Sequence, residues 1–180
     1  SVTSIGFGAF NYCTSLQSVI IPNSVTSIKG NPFCYCHTGI SNYSKHFAIF
    51  EGNIYTSDKS RLISFLSDVK NFIIPDFLTT VGDRAFFCCT SLRTVTIPDS
   101  VIMIKKRSFS KCKSLQSVTI PDSVTSIGDR VFEGCLSLQS VTIPDSVTKI
   151  GKKVFRGCSS ELSFNILQKA YERLKISLDR

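Results

Sequence analysis

Eight cysteines and two histidines are the side chains of this sequence with the most chemistry to offer. Cys34-Tyr35-Cys36-His37 places three metal-ligating groups within four residues, and Cys88-Cys89 adds two thiols farther along. Zinc takes four such ligands, so this set closes a site only if the fold brings both segments together. A Cys–His nucleophile pair is open on numbers alone, with His37 and His46 in the same stretch. No metalloprotease helix, Gly-rich phosphate loop or nucleophile elbow accompanies it. Asp76, Asp99, Asp122 and Asp145 recur every 23 residues after a proline. One carboxylate per repeat falls short of the six to eight oxygens that calcium takes, and Asx turns at a strand exit account for the column. The reading is therefore non-enzymatic, with no catalytic residue, no metal and no cofactor assigned.

Two further columns are candidates for binding. Arg84, Arg107, Arg130 and Lys153 stand two residues before a recurring phenylalanine, with Lys105, Lys106, Lys152 and Arg156 nearby. Stacked within a Debye length, such charges repel unless a polyanion, an anionic glycan for instance, or neighbouring Asp83 and Asp129 compensate them. Neither a nucleic-acid motif nor an aromatic stacking platform accompanies the stripe, so nucleic acid is not expected. The second column alternates with buried strand positions: Ser18 and Ile20, Asn71 and Ile73, Thr94 and Thr96, Ser117 and Thr119, Ser140 and Thr142. Small hydroxyls with two isoleucine anchors suit a broad protein-facing surface, and β-propensity alone would also place threonine there.

What must position these residues is a repeat. Pro75, Pro98, Pro121 and Pro144 are spaced by 23, as are Phe86, Phe109, Phe132 and Phe155, and Cys89, Cys112, Cys135 and Cys158. Phe10 to Phe33 and Cys13 to Cys36 keep the period, and Pro22 to Pro75 exceeds it by 30 residues. Within one unit, Leu115, Val118 and Ile120 form a short strand, Pro121 stops it, and Val124 and Ile127 make a second apolar pair. Phe132 and Cys135, three apart, face one side if they share a helical or 3-10 turn. No such unit buries its apolar face alone, so copies must stack at the ~4.8 Å strand spacing. The six in-register cysteines then fall in the core as small hydrophobes, at a Cα spacing of about 5 Å that permits bridges between neighbouring coils without requiring them, and Cys34 and Cys88 fall outside the column. Lys29 and Lys105 stand where Gly6, Gly82, Gly128 and Gly151 sit, which predicts ordinary φ at that position.

Leu92-x-x-Val95-x-Ile97, Leu115-x-x-Val118-x-Ile120 and Leu138-x-x-Val141-x-Ile143 match the core of a leucine-rich repeat. The fuller unit IPDSVTSIGDxVFxGCxSLQSVTIP resembles the BspA-like leucine-rich repeats of bacterial and protist surface proteins. The resemblance implies an α/β solenoid, a right-handed superhelix of about seven coils with short parallel strands, short helical or 3-10 turns and a C-terminal capping helix, the outward strand positions lining a concave sheet. It implies one domain over 1–180: regular coils over 1–36, an irregular coil over 37–68, regular coils over 69–158 and a helical cap over 159–180. In the irregular coil, Phe47 to Tyr55 and Arg61 to Leu66 read as the arms of a β-hairpin, and register returns at Val69, Phe72 and Ile74. Leu167, Ala170, Tyr171, Leu174 and Leu178 carry the spacing of an amphipathic helix. The family's implied role is interaction or adhesion, extracellular or at a cell surface, with a host matrix or surface protein as partner.

Composition agrees with a folded chain: 180 residues, 42% hydrophobic and 19% charged. Net charge of +8 permits an acidic partner and bears on steering rather than fold. No run reaches the ~18 apolar residues of a membrane span, and residues 1–20 lack the pattern of a signal peptide. Ser1 to Gly6 match Ser123 to Gly128, so the sequence opens in mid-unit and reads as an excerpt of a longer array.

Overall fold

A computed structural model describes residues 1–36, 38–160 and 162–166, with the backbone alone over 163–166. It is a parallel-strand solenoid of about six turns. Strands Asn71–Ile73, Thr94–Thr96, Ser117–Thr119, Ser140–Ile143 and Ser163–Ile166 form one five-stranded parallel sheet. Their register is the sequence period itself, with Val95 beside Val118 and Val118 beside Val141. Each of the first four is short because the proline after it has no N–H for the ladder, and the next residues turn on a backbone bond, as from Val124 N–H to Pro121 O. The pairs Thr80–Val81, Met103–Ile104, Ser126–Ile127 and Lys149–Ile150 then build a second parallel ladder.

The third side of each coil differs from the expected helical turn, and no helix occurs among the described residues. Around Phe86, alternate amides point two ways. Ala85, Phe87 and Cys89 donate to carbonyls three residues back, whereas Arg84, Phe86 and Cys88 donate to Lys106, Ser108 and Ser110 of the next coil. Left-handed residues at Arg84 (φ 55°) and Cys88 (φ 61°) create the alternation. A helix would spend every amide within its own coil; this conformation spends half of them on the neighbour. Phe109 and Phe132 stack at 5.7 Å with both rings fully buried.

The irregular coil holds three strands rather than a two-armed hairpin. Phe47–Phe50 and Asn53–Thr56 pair antiparallel about Glu51-Gly52, and Asn53–Thr56 pairs with Arg61–Ser64. Glu51 and Gly52 both have positive φ, which a tight two-residue hairpin requires. Arg61–Ser64 then pairs parallel with Thr80–Val81, occupying a place in the second ladder. Phe65 fills the aromatic column, its ring 4.7 Å from that of Phe86 and tilted by 36°, with its amide bonded to Ala85 O as Phe86 bonds to Ser108 O. Val69, expected in the core, is 40% exposed.

The meander separates two cores. Phe47, Ile54 and Ile63 pack with Ile21, Val25, Ile28 and Phe33 on one side. Tyr55, Leu62 and Phe65 face the larger core of the later coils. Alternation of period two thus serves strands buried on both faces. Asn31 joins the two parts: its Oδ1 accepts from Phe33 N and Ser64 Oγ, and its Nδ2 donates to Phe65 O.

Two expectations change at the ends of the repeat. Gly39–Asn42, assigned to the irregular coil, is a strand paired with Ser18–Ile21, arriving two residues early. Ser163–Ile166, assigned to the helical cap, continues the five-stranded sheet with the regular period; the helix expected over Leu167–Leu178 lies outside the described residues.

Candidate functional site

The outward strand positions fall where alternation puts them. Asn71, Thr94, Ser117 and Ser140 form one row across the five-stranded sheet, and Ile73, Thr96, Thr119 and Thr142 form the next. Backs of the strands (Val95, Val118, Val141) are buried, whereas Ile73 is 73% exposed at the sheet edge. Thr94 Oγ1 donates to Asn71 Oδ1 at 2.8 Å, fixing one step of the first row. Ser18 and Ile20 are also outward, but they belong to a separate two-stranded sheet beside Gly39 and Ser41. The expected surface is therefore two patches. Gly39 and Ser41 escape a reading by period because Gly39 stands where the repeat calls for leucine.

A shallow dent flanks the larger patch at the strand exits, lined by Thr119, Thr142, Asp99, Asp122 and Asp145. At two of these exits serine hydroxyls bond across coils, from Ser123 to Val101 O and from Ser146 to Val124 O in the preceding coil.

The basic column exists as a column, with Arg84, Arg107, Arg130 and Lys153 all near φ 55°, but much of its charge is engaged. Arg107 and Arg130 both meet Glu133, at 3.6 and 3.7 Å, and Arg156 reaches it at 3.8 Å. Glu133 was not singled out in the sequence, although its spacing from Arg130 is the i,i+3 of a local ion pair. Of the two carboxylates expected to neutralise the stripe, Asp83 and Asp129, Asp129 accepts the amide of Lys152. Arg84 lies over the Phe7 ring at 4.5 Å. Desolvation, then repulsion from Arg107, pulls its guanidinium below the ordinary range, and Asp83 opposes both.

All eight cysteines are free thiols. Those of the column brace successive coils, since Cys112, Cys135 and Cys158 donate S–H to the carbonyls of Phe86, Phe109 and Phe132 in the preceding coil, at 3.0–3.1 Å. Burial raises Cys112 and Cys135 well above the ordinary thiol range and Cys158 to about 11, so these sulfurs stay protonated. Cys34 and Cys88 behave differently. The irregular coil passes from Phe65 to Asn71 without the Phe-x-x-Cys turn, leaving the turns of its neighbours face to face across a notch of about 70 Å³, floored by Phe65, Leu66 and Ser67. There Cys34, Phe87 and Cys88 form a small buried cluster, apart from both cores, with Tyr35 against it. The Cys34 thiol and the Tyr35 hydroxyl are the groups placed to donate a hydrogen bond to Cys88. These donors, with Lys111 and Lys113 adding positive potential, hold Cys88 down to about 7 against its burial; the same hydrogen bond, then burial, pushes Cys34 up. No group of three or more His, Cys, Asp or Glu fit to hold a metal occurs among the described residues. His46 is exposed beside the Phe47 ring, and His37 lies outside the described residues.

Two in-register parallel ladders, a stacked phenylalanine column and a recurring Pro-Asp turn define a leucine-rich-repeat protein. The BspA-type leucine-rich repeat region, in six copies, matches residues 1–72 and 59–162, and the chain belongs to that family. A search of curated proteins finds no match. Among solved structures, the pneumococcal vaccine antigen PcpA superposes with a TM-score of 0.75 at 24% identity, over 90% of this chain and 41% of its own. A leucine-rich cell surface protein of Faecalibacterium prausnitzii gives 0.66 at 26% identity, over 96% and 60%. A leucine-rich repeat protein of Eubacterium ventriosum gives 0.72 at 26%, over 91% and 51%. The chain thus spans 41–60% of the length of these three. No helix among its described residues is long and apolar enough to cross a membrane.

Proposed function

We propose that this chain is a non-enzymatic protein-interaction module, displayed at a cell surface and used in adhesion, that binds a host or partner protein through the five-stranded face. The observation that carries the reading is the double row of outward, uncharged side chains, exposed except for half-buried Ser140 and ending at Ile73. Such a surface costs little to desolvate, because its hydroxyls can bond to a partner and it carries no charge to strip of water. Rigid presentation by inter-coil hydrogen bonds spares the ordering entropy that a loop would lose on binding. Kinship with a protein described as cell-surface and with a vaccine antigen supports the location.

The test is a pair of sensor surfaces, one coated with an extracellular-matrix protein such as fibronectin and the other with heparin. Thr96→Arg with Thr119→Arg should weaken matrix-protein binding at least tenfold and leave the melting temperature unchanged, since both side chains point to solvent. Binding only to heparin, lost with salt and with Arg107→Glu and Arg130→Glu, would replace this reading with a polyanion site on the basic column. Binding to neither surface, or matrix binding indifferent to the threonine changes, would remove the five-stranded face as the site.

A further inference from the structure

Cys34 and Cys88 break the repeat at two different places, and they meet. In the column of Cys34 the other coils carry Asn11, Phe87, Ser110, Glu133 and Arg156; in the column of Cys88 they carry Tyr12, Tyr35, Lys111, Gly134 and Gly157. Neither cysteine serves the Phe-carbonyl bond that explains the regular column. Each lines the notch that the shortened irregular coil leaves open, where the two share one small buried cluster with Phe87.

We propose that Cys34 and Cys88 are a redox site: a thiol pair that closes to a disulfide across the notch, tying the first coils to the later ones. The oxidant is a small disulfide of the glutathione class, written RSSR. Cys88, 7% exposed against 2% for Cys34, is the sulfur that meets it. Its thiolate attacks one sulfur of RSSR, forming a Cys88–S–S–R bond and releasing RS⁻. Cys34 then attacks Cys88 Sγ, the Cys88–SR bond breaks, and the Cys34 proton leaves with the second RS⁻. Two protein thiols and RSSR become one protein disulfide and two RSH, with two electrons passing from protein sulfur to RSSR. Thiolate character and access set which thiol reacts. Burial keeps Cys112, Cys135 and Cys158 protonated, and their S–H groups are engaged, so these three are bystanders.

The folded protein, fully reduced and then held in oxidised glutathione near pH 7.5 without denaturant, should lose two of its eight thiols. Peptide mapping under non-reducing conditions should recover Cys34 linked to Cys88. The bridge encloses a long loop, so the melting temperature should rise by about 5–10 °C and return on reduction. Cys34→Ser, which removes the resolving thiol, should instead accumulate glutathione on Cys88. Retention of all eight thiols, bridges between column neighbours, or a stable Cys88–glutathione adduct in the unsubstituted protein would overturn the proposal. Mapping of the unsubstituted protein decides the matter even if the serine variant folds poorly.

Discussion

Left-handed backbone on this chain recurs mostly at residues other than glycine. Lys111 has φ 63° in the column where later coils carry Gly134 and Gly157. A Cβ in that region costs roughly 1 kcal/mol, and Lys111 recovers part of it from the Phe87 ring, 5.5 Å from its Nζ. Lys111→Gly is therefore expected to stabilise the fold by about 0.5 kcal/mol, a rise of one to two degrees in a thermal melt. The other glycine column works by space. Gly128 has ordinary φ, but a Cβ there would lie 2.6 Å from Lys106 N, where only backbone could yield. Gly128→Ala should cost about 1–3 kcal/mol, so two substitutions of opposite sense at glycine columns move the melt in opposite directions. If φ alone set these costs, Gly128→Ala would be nearly neutral, which the melt would reveal. The sequence showed half of this. Lysine at Lys29 and Lys105 excluded a need for positive φ in the second column, whereas nothing about an arginine announces that Arg84, Arg107 and Arg130 are left-handed. Cys88 belongs to the same scale: its alkylation rate should rise with pH about a midpoint near 7. An ordinary thiol would show that midpoint near 8.5; such a value would mean that the hydrogen bonds from Cys34 and Tyr35 do not hold in solution.

Strands were legible wherever the period held, because identical residues stacked at one spacing admit one register. Val95, Val118 and Val141 align as the sequence places them. The irregular coil was not legible, for the same reason. Leu62 and Phe65 fill columns belonging to Val81 and Phe86, but the two are three residues apart where the regular pair is five apart, so self-comparison assigns neither. Counting by 23 pointed to Val69, in the column of Leu92, as the returning core residue, yet it is 40% exposed while Phe65 is buried. A paired substitution separates the two assignments. Phe65→Ala should cost about 3–5 kcal/mol, as expected for a fully buried ring, and Val69→Ala less than about 0.5 kcal/mol. Comparable losses in urea melts would restore the simple periodic reading. The candidate site followed the same division: rows from Asn71 to Thr142 were readable from alternation, but their separation from Ser18 and Ile20 was not, since it depends on where the meander interrupts the ladder.

At the scale of the molecule, repeats in unbroken contact would open as a graded series, and this chain breaks that contact once. No strand ladder among the described residues joins Ser27–Ile28 to Arg61–Ser64 or Gly39–Asn42 to Asn71–Ile73. What crosses is the meander itself, the Asn31 hydrogen bonds, Arg84 and Phe87 against Phe7, and the Cys34–Cys88 contact. Among the described residues, nine buried ones hold the first core and twenty-nine the second, so opening the first part exposes far less apolar surface than opening the whole. Local opening free energies follow that surface. Hydrogen exchange on the reduced protein should thus protect amides of Ile21, Val25 and Ile28 less than those of Ile104, Val118 and Ile127 by at least tenfold. Asn31→Ala, which leaves Ser64 Oγ and Phe33 N without their acceptor, should widen the gap by a further factor of about 10 without touching the later coils, in line with ~1–3 kcal/mol for a stranded buried group. Uniform protection across both parts, in the parent and in the variant alike, would show that the meander transmits stability as completely as a regular coil does.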